Sequence, residues 1–177
     1  MKSISFILLI ALLACSPIRK QDNLVNKHKA NELIDIGVIN LRNFNFEKAK
    51  AAFQVSYKLT ASAPALDGLG CVALLEKNYK LAQQYFLDAY KFDSEYYYAL
   101  ANLAFLYQTL GNVDAAQVLY KKALQKNPDN FRARNNYAGI LRSDLSEFSL
   151  SREELQKAAI ILEHPIVMAN LNRSEDQ

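Results

Sequence analysis

The sequence predicts an all-α chain in which about four helix-turn-helix units stack into a superhelix and end in a short C-terminal capping segment. Three observations carry this. A pattern of small and aromatic residues recurs every 33 or 34 positions, the length of two helices with their turns. Alanine, leucine, lysine, glutamine and glutamate, all good helix formers, dominate from Lys29 onward. The 177 residues hold only five glycines and four prolines, too few for an all-β chain rich in tight turns.

The repeat is explicit in the residues. Gly37, Phe46, Ala49 and Phe53 become Gly70, Tyr79, Ala82 and Phe86 one unit later, then Ala104, Val113, Ala116 and Tyr120. Each set reads small, apolar, alanine, aromatic. Small residues let helix backbones approach, and the aromatics fill the gaps between them. One hairpin cannot bury its own apolar face, so several must stack. The third unit is the fullest, with Leu100, Leu103, Ala104, Tyr107, Gly111, Ala116, Tyr120, Ala123 and Pro128. These residues resemble the tetratricopeptide repeat (TPR) consensus, with Tyr97 standing where the family opens on tryptophan. The first unit departs from it, placing Asn40 at an aromatic position and Phe44 at the turn glycine. A fourth unit begins with Tyr137, Ala138 and Leu141. It regains phase after a one-residue insertion with Phe148, Leu155 and Ala158, and has Ser151 where the family has alanine. The resemblance covers about 30–164 and implies a TPR domain over 30–171.

Local punctuation refines the boundaries. Ser62 before Pro64 reads as a helix N-cap with proline in the first turn, and Asn127-Pro128-Asp129 marks a break and restart. Ser151 and Glu154 have capping-box spacing. His164-Pro165 closes the last long helix, 166–171 reads as a short apolar lid, and 172–177 as a frayed polar tail.

The N-terminal segment has a different character. One lysine precedes an apolar run from Ile4 to Ala14, broken only by Ser5. Residues 1–14 therefore read as a signal peptide whose core is too short to span a bilayer. Leu12-Leu13-Ala14-Cys15 resembles the bacterial lipobox. The cysteine is required because its sulfur becomes the thioether that carries diacylglycerol, and small Ala14 admits the peptidase. The alternative is an ordinary secretory cut after Ser16, which Pro17 disfavours. Residues 15–29 then form the lipidated cysteine and a polar tether, or a solvated start to the first helix. Ser16 rather than aspartate after Cys15 resembles an outer-membrane sorting signal and implies a lipid-anchored domain facing the periplasm. With Cys15 acylated, Cys71 has no disulfide partner and reads as a small inert wall residue beside Gly70, not as a reactive thiol.

Charge and motifs set aside several function classes. The net charge is +3, with 21 basic and 18 acidic residues scattered along the chain, so no basic stripe marks a nucleic-acid partner. Gly68-Leu69-Gly70 followed by Ala73 matches a loose dinucleotide pattern, but no strand precedes it. No P-loop and no Cys/His cluster occurs, and His28 and His164 stand at opposite ends of the chain. No cofactor, metal or catalytic residue is expected.

The TPR resemblance instead implies a scaffold that takes a protein or extended peptide in the concave groove lined by the first helix of each unit. Those positions hold Asn31, Ile34, Val38, Leu41 and Arg42, then Asp67, Cys71, Leu74 and Leu75, then Tyr98, Asn102, Phe105 and Gln108, and finally Arg132, Asn135, Asn136, Gly139 and Arg142. They make the groove apolar at one end and rich in amides and arginines at the other, unless they are ordinary solvated helix residues. Asn102 and Asn136 occupy one position in successive units and resemble the groove asparagines of peptide-binding TPR domains, which suggests an amide ladder. The remaining residues of the carboxylate clamp have no match at Asp67 and Cys71. Asn135-Asn136-Tyr137-Ala138-Gly139 is loosely similar to the pilus-assembly TPR lipoproteins that help a secretin assemble. An adaptor for a periplasmic protease or peptidoglycan hydrolase is the alternative, and an enzyme with a groove active site a remote one. Acylation of Cys15 gives firm membrane attachment, because two lipid signals already suffice for stable anchoring. Cys15→Ser is expected to release the protein from the membrane fraction or leave it unprocessed. Unchanged mass and membrane partition would refute the anchor.

Overall fold

The computed structural model describes the backbone of residues 4–142 and 145–175, and the side chains of residues 23–142 and 146–174. Residues 1–3 and the side chains of the lipobox, Cys15 included, lie outside the described residues. Among the described residues the chain forms nine α-helices and no strand: α1 (Ile4–Arg42), α2 (Phe46–Leu59), α3 (Ala63–Leu75), α4 (Tyr79–Phe92), α5 (Tyr97–Thr109), α6 (Val113–Lys126), α7 (Phe131–Leu141), α8 (Phe148–Ile161) and α9 (Pro165–Glu175). A 3₁₀ turn, Leu145–Glu147, accommodates the one-residue insertion before α8. The helices pair as α1 with α2, α3 with α4, α5 with α6 and α7 with α8, and α9 packs on α8. Each first helix also touches the first helix of the next pair, which gives the TPR-like superhelix.

The small-aromatic pattern is what holds each pair together. Phe53, Phe86 and Tyr120 are fully buried, as are Ala49, Ala82 and Ala116 one turn before them. A Cβ built on Gly37 or Gly68 would lie within 2.6 Å of the Phe53 ring, and one on Gly70 within 2.5 Å of Phe86. The aromatic from the second helix therefore occupies the volume that a side chain on the first helix would need. Three buried clusters follow this rule: Ala49, Phe53, Leu69 and Val72; Ala82, Phe86, Leu103 and Leu106; and Ala104, Ala116, Tyr120, Tyr137 and Leu141. Each joins one hairpin to the first helix of the next, so folding of one unit supports its neighbour. Gly68 and Gly70 are thus packing residues and not part of a phosphate loop.

The turns inside the first three hairpins share one geometry. Phe44, Lys77 and Gly111 all take positive φ, at 59°, 60° and 77°. The amide of the following asparagine then reaches back five residues, from Asn45 to the Asn40 carbonyl, Asn78 to Ala73 and Asn112 to Tyr107, as in a Schellman stop. The side chains of Asn78 and Asn112 also cap the next helix, accepting from the amides of Leu81 and Ala115. Only Gly111 suits its φ without strain. Phe44 keeps the conformation while its ring, 76% exposed, meets Phe46 edge-on.

Three local expectations need correction. Ser151 and Glu154 do not form a capping box, because α8 starts earlier, at Phe148. Ser151 is fully buried at the small-residue position, and its Oγ donates to the Ala138 carbonyl at 2.8 Å. Glu154 accepts from Arg134 across the hairpin and from Lys157 at 3.1 Å. Ser62 precedes α3 but makes no side-chain cap, leaving its hydroxyl buried without a partner. The lid and polar tail are not separate, since α9 runs through both to Glu175 and buries Val167 and Ser174. At the other end, residues 23–29 are mostly solvated and belong to α1, and Ala30 is the first buried side chain among the described residues, its carbonyl accepting from Ser56 at 2.8 Å.

Two glycine substitutions test the packing rule. Gly70→Ala drives a Cβ into the buried Phe86 ring and is expected to cost about 1–3 kcal/mol. Gly139, also helical, has nothing within 4 Å of its Cβ position. Gly139→Ala is expected to stabilise by about 0.5–1 kcal/mol through helix propensity. Chemical denaturation midpoints that shift alike in both variants would contradict this account.

Candidate functional site: the concave groove

The four first helices present their inner faces to one cavity of about 420 Å³. Val38, Leu41 and Arg42 reach it from α1, and Asp67 and Cys71 from α3. Tyr98, Asn102 and Phe105 enter from α5, and Arg132 and Asn136 from α7. The structure thus brings together Tyr98, Asn102, Phe105, Arg132 and Asn136 of the groove expected from sequence. Asn135 and Arg142 are not on this floor. Both line a cleft of about 50 Å³ between α7, α8 and α9, because α9 folds back over that side of α7. Asn135 also faces a second cavity of about 310 Å³, which shares Arg132 and Asn136 with the main groove and is closed by His164, Ile166 and Val167.

Sequence reasoning missed Tyr96 and Asn130, which line the groove from the residues just before α5 and α7. Positions counted inside each helix skip the cap residue. Asn130 had a readable signal, as an asparagine ahead of a helix, and its Oδ1 accepts from the Ala133 amide at 3.1 Å. Tyr96 had none. Its hydroxyl donates to Asp67, 29 residues upstream, at 3.3 Å.

Asp67 organises the floor. It is 7% exposed and accepts from Asn102 Nδ2 at 2.9 and 3.1 Å, and from Tyr96. Burial, the larger effect, raises its carboxyl from 3.8 to about 6, against the lowering by the Asn102 and Tyr96 hydrogen bonds. Burial and then the Asp67 charge push the Cys71 thiol well above its ordinary value, so it stays protonated and poorly nucleophilic. The Tyr96 phenol is raised for the same reasons. These contacts change the expected amide ladder. Asn102 already spends its NH₂ group on Asp67, and Asn136 Oδ1 accepts from Asn135 Nδ2 at 3.3 Å. Asn135 Oδ1 in turn accepts from Asn170 at 2.8 Å. Asn102 therefore braces α5 against α3, and Asn102→Ala would strip a buried carboxylate of its donor instead of leaving stability unchanged.

The open surface of the groove is aromatic and cationic. Tyr98 is 45% and Phe105 43% exposed, and the Tyr97 and Tyr98 rings stack at 4.2 Å. Arg132 is exposed, with its guanidinium 5.7 Å from the Phe131 ring. Among the described residues no three His, Cys, Asp or Glu side chains gather as a metal site would require.

Residues 97–130, which are α5, α6 and the turn after them, match the tetratricopeptide repeat family. The described residues have a TPR-like superhelical fold, and solved structures of that fold match over 81–85% of the chain. It superposes on pilF of Pseudomonas aeruginosa with a TM-score of 0.71 and 22% identity, covering 85% of this chain and 71% of that one. It is similar to a chain of the APC/C hetero-tetramer Cut9–Hcn1 with a TM-score of 0.68 and 20% identity, over 82% of this chain but only 30% of that longer one. A third likeness, with a TM-score of 0.58 and 17% identity over 81% of this chain and 74% of the other, is to YrrB, a TPR protein with an unusual peptide-binding site. No protein of curated function matches this sequence.

The buried carboxyl makes stability depend on pH. Its folded value lies above the unfolded one, so the native state binds the proton more tightly. Stability is then greatest below about 4 for this group, falls as pH rises to about 6 and is level beyond, by about 3 kcal/mol in all. Denaturation midpoints of Asp67→Asn are expected to lack that slope. A wild-type slope retained in the variant would place the titrating group elsewhere.

Proposed function

We propose that this chain is a non-catalytic scaffold of the bacterial envelope that holds a partner protein, or an extended segment of one, in its concave groove. The observation that carries this reading is the single cavity crossing α1, α3, α5 and α7, with Tyr98, Phe105 and Arg132 open to solvent on its walls. Large aromatic side chains left half-exposed in a concave site are the usual anchors of protein recognition, and arginine is the usual charged one. The peptide-binding site named for YrrB supports the same use of the fold. Asn102 commits its NH₂ to Asp67 and Asn136 its Oδ1 to Asn135, so the larger part of the affinity rests on side-chain contacts with Phe105, Tyr98 and Arg132.

Acylation at Cys15 places this scaffold on a membrane, and Ser16 after it favours the outer membrane with the groove in the periplasm. The asparagine-rich start of α7 and the fold likeness to pilF support a role in assembling a type IV pilus or its secretin.

Crosslinking of the anchored protein in cells, followed by capture, tests both levels. Phe105→Ala and Arg132→Ala each remove an exposed side chain and are expected to weaken partner recovery several-fold while thermal stability holds. Recovery that is unchanged in both variants would move the site off the concave face. A secretin subunit in the wild-type capture is the expected partner. Recovery of a different protein through the same residues would keep the scaffold and overturn the pathway.

A further inference from the structure

The groove carries a charge pattern that stacking does not require. Arg42 enters it from α1 and Arg132 from α7, the first and last of the four inner helices. Both are exposed, and among the described residues neither has an ion-pair partner. On α5, between those helices in the stack, stand Tyr98 and Phe105, 45% and 43% exposed, and Val38, 36% exposed, stands one turn before Arg42 on α1. Asp67 sits in the floor between the two arginines, tied to Asn102 and Tyr96.

We propose that the groove selects an extended protein segment with a bulky apolar residue at its centre and a carboxylate on each side of it. This rests on the groove reading above and specifies the occupant. An arginine fork without an ion-pair partner pairs best with a carboxylate, and two such forks, on the first and last inner helices, call for two of them. Asp67 repels an acidic group over the middle of the floor, so it acts against segments whose acids are central or whose register has slipped. A lysine-rich segment meets repulsion at both ends. Three interhelix steps of about 8–10 Å, shortened by the inward reach of both arginines, place the carboxylates roughly five to seven residues apart in a strand rising ~3.3 Å per residue. The apolar residue then falls midway, over Phe105 and Tyr98. Past Arg132 the segment continues into the second cavity, toward His164 and Ile166.

Fluorescence anisotropy of the full chain in detergent tests this with three fluorescein-labelled peptides of about a dozen residues. The first has leucine at its centre and one glutamate about three residues to either side. The second is an isomer of identical composition, with both glutamates central and leucine near one end. The third replaces the glutamates of the first with lysine. The first is expected to bind roughly tenfold or more tightly than either of the others. Arg42→Glu with Arg132→Glu, both at exposed positions, is expected to reverse the preference between the first and third peptides with the thermal melt retained. Equal binding of all three, weakened throughout by Phe105→Ala, would overturn the proposed segment and leave the groove as the site. Binding of none of them, or binding that ignores Phe105→Ala, would overturn the groove reading and this inference with it.

Discussion

The architecture depends on one contact made repeatedly: an aromatic side chain from the second helix of each hairpin set against a first-helix backbone without bulk. Phe53 lies against Gly37 and Gly68, and Phe86 against Gly70, at distances that leave no volume for a Cβ. Tyr120 does the same work beside Ala104, and there its hydroxyl finds Gln108 at 3.0 Å. In the fourth hairpin Leu155 takes this place, and the buried hydroxyl of Ser151 compensates for a non-alanine neighbour by bonding to α7. Because the aromatic is wedged between successive hairpins, it sets their spacing as well as their stability. That spacing turns the first helices inward and creates the groove.

Two kinds of hydrogen-bonded polar group shape the stack. Ser56, Ser151 and the Arg134–Glu154 pair fasten one helix to its partner, with each buried donor matched to an acceptor. Such pairs add little net stability but make misregistered packing costly, since a slipped helix would strand them unpaired. Asp67 is of the second kind. It is buried, it lowers stability above about pH 6, and it lies on the face that a partner would meet. Its hydrogen bonds to Asn102 and Tyr96 join α3 to α5 and fix a negative charge between two open arginines. The electrostatic shape of the groove is therefore part of its framework and not a feature of mobile surface side chains.

What the sequence by itself determined is whatever repeats or acts locally. Stacking requires small and aromatic residues at set intervals, so Gly70, Ala82 and Phe86 announce both the helices and their order. A tight stop needs a particular residue at a set position, so the turn at Gly111 is readable, whereas Ser62 and Ser151, which read as caps, make no cap bond. Inward-facing side chains such as Tyr98, Phe105 and Arg132 follow once the repeat register is known. Only the tertiary structure decided the partners of polar groups, because hydrogen bonds across the stack join residues anywhere from 13 to 35 positions apart and leave no spacing signature. Ser151 and Glu154 look alike in sequence whether they cap their own helix or reach across to α7, and packing chose the latter. Asn102 is legible as a groove residue, but its engagement by Asp67, 35 residues upstream, is not. The fold-back of α9 that takes Asn135 and Arg142 off the groove floor is likewise a matter of how the end of the stack covers its own last apolar face.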